Sequence, residues 1–167
     1  MNAEQPERRR LVTWDDPLIG AQAAQTMSGL AYLRSMIAGH IPPPPIANLL
    51  GMELIEVEQG RAVFGIEPAE FHYNPIGMVH GGIACTLFDS AMGCAVQSML
   101  PAGAGYTTLE IKVNFIRALT SATGPVRCVA SAIHVGRSTA TAEARLVDAA
   151  GGLLGHATTT CMIFRPA

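Results

Sequence analysis

Two features of the sequence could do chemistry together. One is the run Asn74-Pro75-Ile76-Gly77-Met78-Val79-His80-Gly81-Gly82, and the other is Asp89, nine residues beyond His80. An apolar run opens at Ile83, so Gly81-Gly82 stands at a helix start. The first turn of a helix leaves N–H groups unpaired and partly positive. Glycines there let a ligand approach the backbone closely. Such a place suits an anion, or a carbonyl oxygen that becomes one during reaction. Asp89 falls in mid-helix beside Leu87, Phe88, Ala91 and Met92. A carboxylate among such neighbours is costly unless paired or used, and desolvation would make it a better base. At 1.5 Å per residue Asp89 is about 10 Å along the axis from Gly82, too far for one carbon to touch both. The spacing points to an active site shared by two subunits. Plainer roles stand beside these: tight packing for Gly81-Gly82, a hydrogen bond to a threonine or a partner for Asp89, and a structural role for His80.

The elements that must position these residues follow from periodicity. Residues 83–99 are apolar nearly all round and predict a buried helix. Residues 52–58 and 61–67 read as strands joined by the turn Gln59-Gly60, with a loop at 71–77. Residues 107–116 alternate, with Thr107, Leu109, Ile111, Val113 and Phe115 on one face and Thr108, Glu110, Lys112 and Asn114 on the other. Further strands are predicted over 126–135, 138–147 and 153–164. Hairpins between consecutive strands make the sheet antiparallel, with one helix lying across it. Before this core, residues 1–45 read as an arm. It holds one helix, started by Asp16 and Pro17 and stopped near Gly39, and then the stiff spacer Pro42 to Pro45. Residues 46–167 form the second unit. Arg8, Arg9 and Arg10 read as a solvated tail.

Composition excludes other classes. The chain has 167 residues, 49% hydrophobic and 14% charged, which is enough core for one domain and too apolar for disorder. Eleven basic against 13 acidic residues give a net charge of −2, so no basic field is present to hold nucleic acid. Residues 35–52 and 90–109 are uncharged, but prolines and glycines interrupt both, so no membrane span is expected. Cys85, Cys94, Cys128 and Cys161 form no CxxC pair, and His72, His134 and His156 have no metal spacing, so no metal is expected. Scattered cysteines in a chain of this size fit reduced thiols and a cytoplasmic location. Cys85 reads as a small buried hydrophobe rather than a nucleophile. There is no phosphate-binding glycine loop and no Gly-x-Ser-x-Gly elbow.

The motif Asn-Pro-x-Gly-x-Val-His-Gly-Gly, six residues and then Asp resembles the hotdog-fold acyl-CoA thioesterases of the phenylacetate-degradation type. Lys112-Val113-Asn114-Phe115-Ile116-Arg117 and His134-Val135-Gly136-Arg137 resemble two later family segments, and the likeness spans residues 49–164. The resemblance implies an α+β hotdog fold, an antiparallel β-sheet wrapped around one long buried helix, here with an N-terminal helical arm. It implies hydrolysis of an aryl or medium-chain acyl-CoA to free acid and CoA, without metal or bound cofactor. Gly81, with Gly82 beside it, would polarise the carbonyl. Asp89 of the facing subunit would act as base or nucleophile, Asn74 would place the carbonyl or water, and His80 would order the loop. Thr108, or else Thr107, would assist. Arg137, Ser138 and Thr139, and less strongly Arg117, would meet the phosphates of CoA. The assembly would be at least a homodimer and more often a homotetramer. Two other readings stay open: a dehydratase or hydratase of the same fold, recognised by an enoyl or hydroxyacyl product, and an acyl-CoA binding module without turnover.

Overall fold

The structure is a computed structural model that describes residues 7–165. The first six residues of the expected tail lie outside the described residues. The core is a six-stranded antiparallel sheet with a 17-residue helix packed across it. Strands β1 (Met52–Glu58), β2 (Arg61–Ile66), β3 (Gly105–Phe115), β4 (Val126–Val135), β5 (Thr139–Val147) and β6 (Leu153–Phe164) lie in the order β1-β2-β4-β5-β6-β3. Consecutive pairing holds for β1–β2, β4–β5 and β5–β6 but not for β3. The long helix, here called α4 (Gly81–Gln97), intervenes, and the chain then crosses to the far edge, where β3 pairs with β6.

The helix is buried along one side by Ala84, Leu87, Phe88, Ala91, Met92, Ala95 and Val96. Beneath it the sheet presents small buried residues, Ala130, Ala140, Ala142, Ala144 and Ala157, so the helix can lie close. Gly93 leaves room for a side chain of the sheet. A Cβ there would sit 2.0 Å from the hydroxyl oxygen of Tyr106 on β3. That contact explains a residue that otherwise costs a helix interior about 1 kcal/mol relative to alanine.

The arm departs from the sequence expectation. Asp16 caps α1 (Pro17–Thr26) as predicted, its carboxylate accepting from the Leu18 N–H at 2.9 Å. The helix then breaks, and Ser28 caps a second one, α2 (Gly29–Ile37). The break has a tertiary cause. The Gly29 N–H donates to the Leu100 carbonyl at 3.0 Å, and a Cβ on Gly29 would lie 1.7 Å from the Gln97 carbonyl oxygen. The end of α4 therefore dictates where the arm bends. Gly39, at φ +75°, follows the second helix. The proline run is shorter as a spacer than expected, because Pro45 opens a third helix, α3 (Pro45–Leu50).

Arg8 to Arg10 are exposed, as a solvated tail should be, but Arg8 and Arg10 also tie that segment to the body. Arg8 pairs with Glu70 at 2.8 Å. Arg10 donates to the carbonyls of Asn48 and Leu49 and lies 4.2 Å from the Phe71 ring centre. A guanidinium on the last carbonyls of α3 complements that helix end.

Candidate active site

The motif loop is held by backbone bonds on both sides. Val79 N–H donates to the Leu119 carbonyl at 2.9 Å, and His80 N–H donates to the His72 carbonyl at 2.8 Å. Buried His72 anchors the preceding turn: its Nε2 lies 2.8 Å from the Leu50 carbonyl, and its Nδ1 accepts from Ala69 N–H at 3.0 Å. Asn74 Oδ1 accepts from the N–H groups of Ile76 and Met78, so its oxygen is spent inside the loop.

The helix start separates the two glycines. His80 is the N-cap of α4, and its Nδ1 accepts from Gly82 N–H at 2.8 Å. Gly82 is therefore occupied by the cap. The Gly81 N–H has no hydrogen-bond partner among the described residues. It lies on a cleft of about 300 Å³ bordered by Asn74, His80, Phe115, Arg117 and Leu119. Phe115 covers it closely, since a Cβ on Gly81 would meet the Phe115 ring at 3.1 Å. One backbone donor, backed by a 17-residue helix and facing a mostly apolar cleft, can polarise a carbonyl.

Asp89 lies eight residues along the same helix, in a different depression. It is exposed on the protomer, so the burial expected from its apolar neighbours does not occur within one subunit. Its Oδ1 accepts from Thr108 Oγ1 at 2.7 Å. Plain alternation puts Thr108 on one face with Glu110 and Lys112, and the structure departs from it. The pairs Thr108↔Cys161 and Glu110↔Thr160 leave Leu109 as an extra residue, a β-bulge. The bulge turns Tyr106 and Thr108 toward the helix together with Ile111 and Val113. Thr159 supports it by donating to the Glu110 carbonyl at 2.6 Å. Thr107, by contrast, is exposed.

The other expected residues divide between the two ends of α4. Arg117 borders the Gly81 cleft but is committed to the sheet: it pairs with Asp148 at 2.7 Å and donates to the Leu153 carbonyl. The Arg117 guanidinium, with help from the Gly152 N–H, holds the Asp148 carboxyl below its usual range. Arg137, Ser138 and Thr139 are exposed at the β4–β5 turn. The pairs Thr139↔Met162 and Thr107↔Met162 put them at the Asp89 end, two strands from β3. Cys85 is half-buried and its thiol is pushed up by burial, opposite to what a thiolate nucleophile needs.

Sequence reasoning missed Tyr106 and Cys94, which border the pocket beside Asp89 together with Tyr32 of the arm. Burial raises the thiol of Cys94 to about 12, with the Asp89 charge adding to the effect, so it stays a neutral thiol. All four cysteines are unpaired. Among the described residues no helix is long and apolar enough to cross a membrane, and no group of three His, Cys, Asp or Glu side chains could hold a metal.

The chain is similar to known proteins in sequence and in fold. A profile of the thioesterase superfamily matches residues 76–154. The 1,4-dihydroxy-2-naphthoyl-CoA hydrolase of Listeria monocytogenes is 31% identical over 109 residues, which is 65% of this chain and 87% of that protein. The crystal structure of a phenylacetic acid degradation-related protein from Ralstonia eutropha superposes with a TM-score of 0.71 at 28% identity, covering 78% of this chain and 98% of that one. A thioesterase family protein from Silicibacter pomeroyi gives a TM-score of 0.70 at 25% identity, over 80% and 96% of the two chains.

Proposed function

The chain belongs to the thioesterase superfamily and is a thioester hydrolase, and from that premise we propose that it hydrolyses an aryl or medium-chain acyl-CoA at a site shared between two subunits. The observation that carries the reading is the division of α4: an unpaired Gly81 N–H at its start and, eight residues on, a carboxylate braced by Thr108. About 12 Å of helix lies between them. A two-fold dimer would bring Gly81 of one subunit to Asp89 of the other.

In this mechanism the thioester oxygen accepts from Gly81 N–H in the cleft under Phe115. Asp89 takes a proton from water as the water oxygen attacks the carbonyl carbon, or it attacks that carbon itself, and water then cleaves the mixed anhydride left after CoA departs. Negative charge gathers on the thioester oxygen, where the helix dipole and the N–H stabilise it. The C–S bond then breaks and CoA leaves as its thiolate. Thr108 keeps the Asp89 carboxylate oriented. Asn74 borders the same cleft and helps to place the carbonyl or the water, and His80 keeps the loop and helix start in register.

CoA phosphates would meet Arg137, Ser138 and Thr139 at the Asp89 end and Arg117 at the Gly81 end. The crossed arrangement makes both arginines neighbours of one site, each from a different subunit. Assembly at least to a dimer, and to a tetramer, is supported by exposed Leu109, Ile133, Met162 and Phe164 on the strands. Four unpaired thiols support a cytoplasmic location.

The test is thiol release from a panel of aryl and aliphatic acyl-CoAs, with wild type and Asp89→Asn compared at equal oligomeric size. The account expects free CoA and free acid from wild type, and a loss of about 10²–10⁴ in kcat for the variant. Equal rates for the two proteins would remove Asp89 from the mechanism. An enoyl or hydroxyacyl product would move the protein to the dehydratase class.

A further inference from the structure

Outside the residues matched by the superfamily profile, α2 of the arm packs on the body directly beside Asp89. A pocket of about 380 Å³ opens there, toward the low end of the range for small-molecule sites. Its walls come from two sources. The core supplies Phe64, Asp89, Cys94 and Tyr106, and the arm supplies Tyr32 and Met36. We propose that this pocket seats the acyl group and that α2, through Tyr32 and Met36, decides which acyl groups fit. The proposal rests on the thioester-hydrolase reading above and deepens it.

Three observations carry it. The pocket contains Asp89, so an acyl chain lying in it keeps its thioester carbon near the carboxylate. The arm is fixed rather than loosely laid on. Leu33 of α2 is 2% exposed, Gly29 N–H is bonded to the Leu100 carbonyl, and Gly103 N–H bonds to the Ala24 carbonyl at 3.4 Å. A wall held at three points can discriminate by size, because it cannot yield cheaply.

The lining is also nearly free of charge. No Lys, Arg or His borders the pocket, and Asp89 is its one acidic residue among the described residues. Burial keeps the thiol of Cys94 and the hydroxyls of Tyr106 and Tyr32 protonated. An acyl group ending in a carboxylate would meet Asp89 with no cation to offset the repulsion. The class that fits is a compact, uncharged acyl group of ring or medium-chain size.

The experiment measures kcat/KM for acetyl-, hexanoyl-, phenylacetyl-, succinyl- and lauroyl-CoA with wild type, Met36→Ala, Met36→Trp and Tyr32→Ala. Melting temperature and oligomeric size are checked for each protein. Wild type is expected to favour phenylacetyl and hexanoyl over succinyl and lauroyl. Met36→Trp should lower the phenylacetyl-to-acetyl ratio by about tenfold or more, and Met36→Ala and Tyr32→Ala should raise the lauroyl-to-phenylacetyl ratio, in line with what a few methylenes contribute in an apolar pocket. Ratios that stay within about twofold in folded variants would overturn the proposal, since size selection of this kind changes ratios well beyond that.

If wild type turns over none of the panel, the acyl-CoA hydrolase reading fails, and the pocket is then judged by binding alone. The probe is the non-hydrolysable thioether of phenylacetyl-CoA. Weakening of its Kd by about tenfold in Met36→Trp upholds the pocket, and an unchanged Kd overturns it.

Discussion

The two ends of α4 solve opposite problems. Its start must leave a polar group unpaired, and its middle must hold a charged group still. At the start, His80 takes up the Gly82 N–H and leaves Gly81 alone facing the cleft. In the middle, Thr108 ties down one oxygen of an exposed Asp89, and a bulged strand supported by Thr159 aims that threonine. Backbone chemistry serves the first end and side-chain chemistry the second. Under the proposed mechanism the difference makes a single subunit half a catalyst: a straight helix cannot fold its own middle back to its start.

The largest effect expected from breaking this comparison at the helix start comes from Gly81→Val. Its side chain would meet the Phe115 ring and fill the space in front of the N–H. Thiol release should fall by about 10²–10³, the usual cost of losing one oxyanion donor, with little change in melting temperature. A variant with near wild-type kcat would show that the carbonyl is polarised elsewhere.

At the other end, Thr108→Val removes the donor to Asp89 but keeps the β-branched shape. A fall of roughly tenfold in kcat with KM nearly constant is expected, the size of one charge-assisted hydrogen bond that orients rather than reacts. An effect on KM alone would make Thr108 a binding residue instead.

How much of this was legible in the sequence depends on the range of the forces involved. The glycine pair and the helix were readable because burial periodicity and backbone freedom act within a few residues, whereas His80 as the cap of that helix was not expected. Asp16 as a cap was readable because capping acts within a few residues. The bulge at Leu109 was not, because plain alternation carries no mark of an inserted residue; the pairing of β3 with β6 decides it. Alternation therefore groups Thr108 with Glu110 and Lys112, whereas the bulge groups it with Ile111 and Val113. The break between α1 and α2 was hidden because Met27, Leu30 and Arg34 continue the helical spacing across Ser28-Gly29. The cause lies about 70 residues away, in the carbonyls that close α4. The edge position of β3 was equally hidden, since hairpin logic applies only where a tight turn joins two strands. The partners of Arg8 and Arg10 were hidden because a charge run shows its sign and not its contacts, here Glu70 and the carbonyls ending α3.

A smaller effect sharpens the role of the arm. Gly29→Ala would put a Cβ on the Gln97 carbonyl, so α2 must shift or detach. A loss of about 1–3 kcal/mol in unfolding free energy is expected, typical of overpacking at a tight contact. Denaturant titration reads it. An unchanged midpoint would mean that the arm contributes little to the stability of the folded chain.

The most direct test of the central claim, a site built from Gly81 of one subunit and Asp89 of another, is complementation. Gly81→Val and Asp89→Asn chains, carrying different tags, are co-expressed, and the mixed dimers are isolated and assayed for thiol release. In a two-fold dimer one of the two sites of each mixed pair would hold both intact residues, so about half the wild-type rate should return from two nearly inactive parents. A mixed dimer no more active than its parents would contradict the shared site and place both halves of the reaction within one subunit.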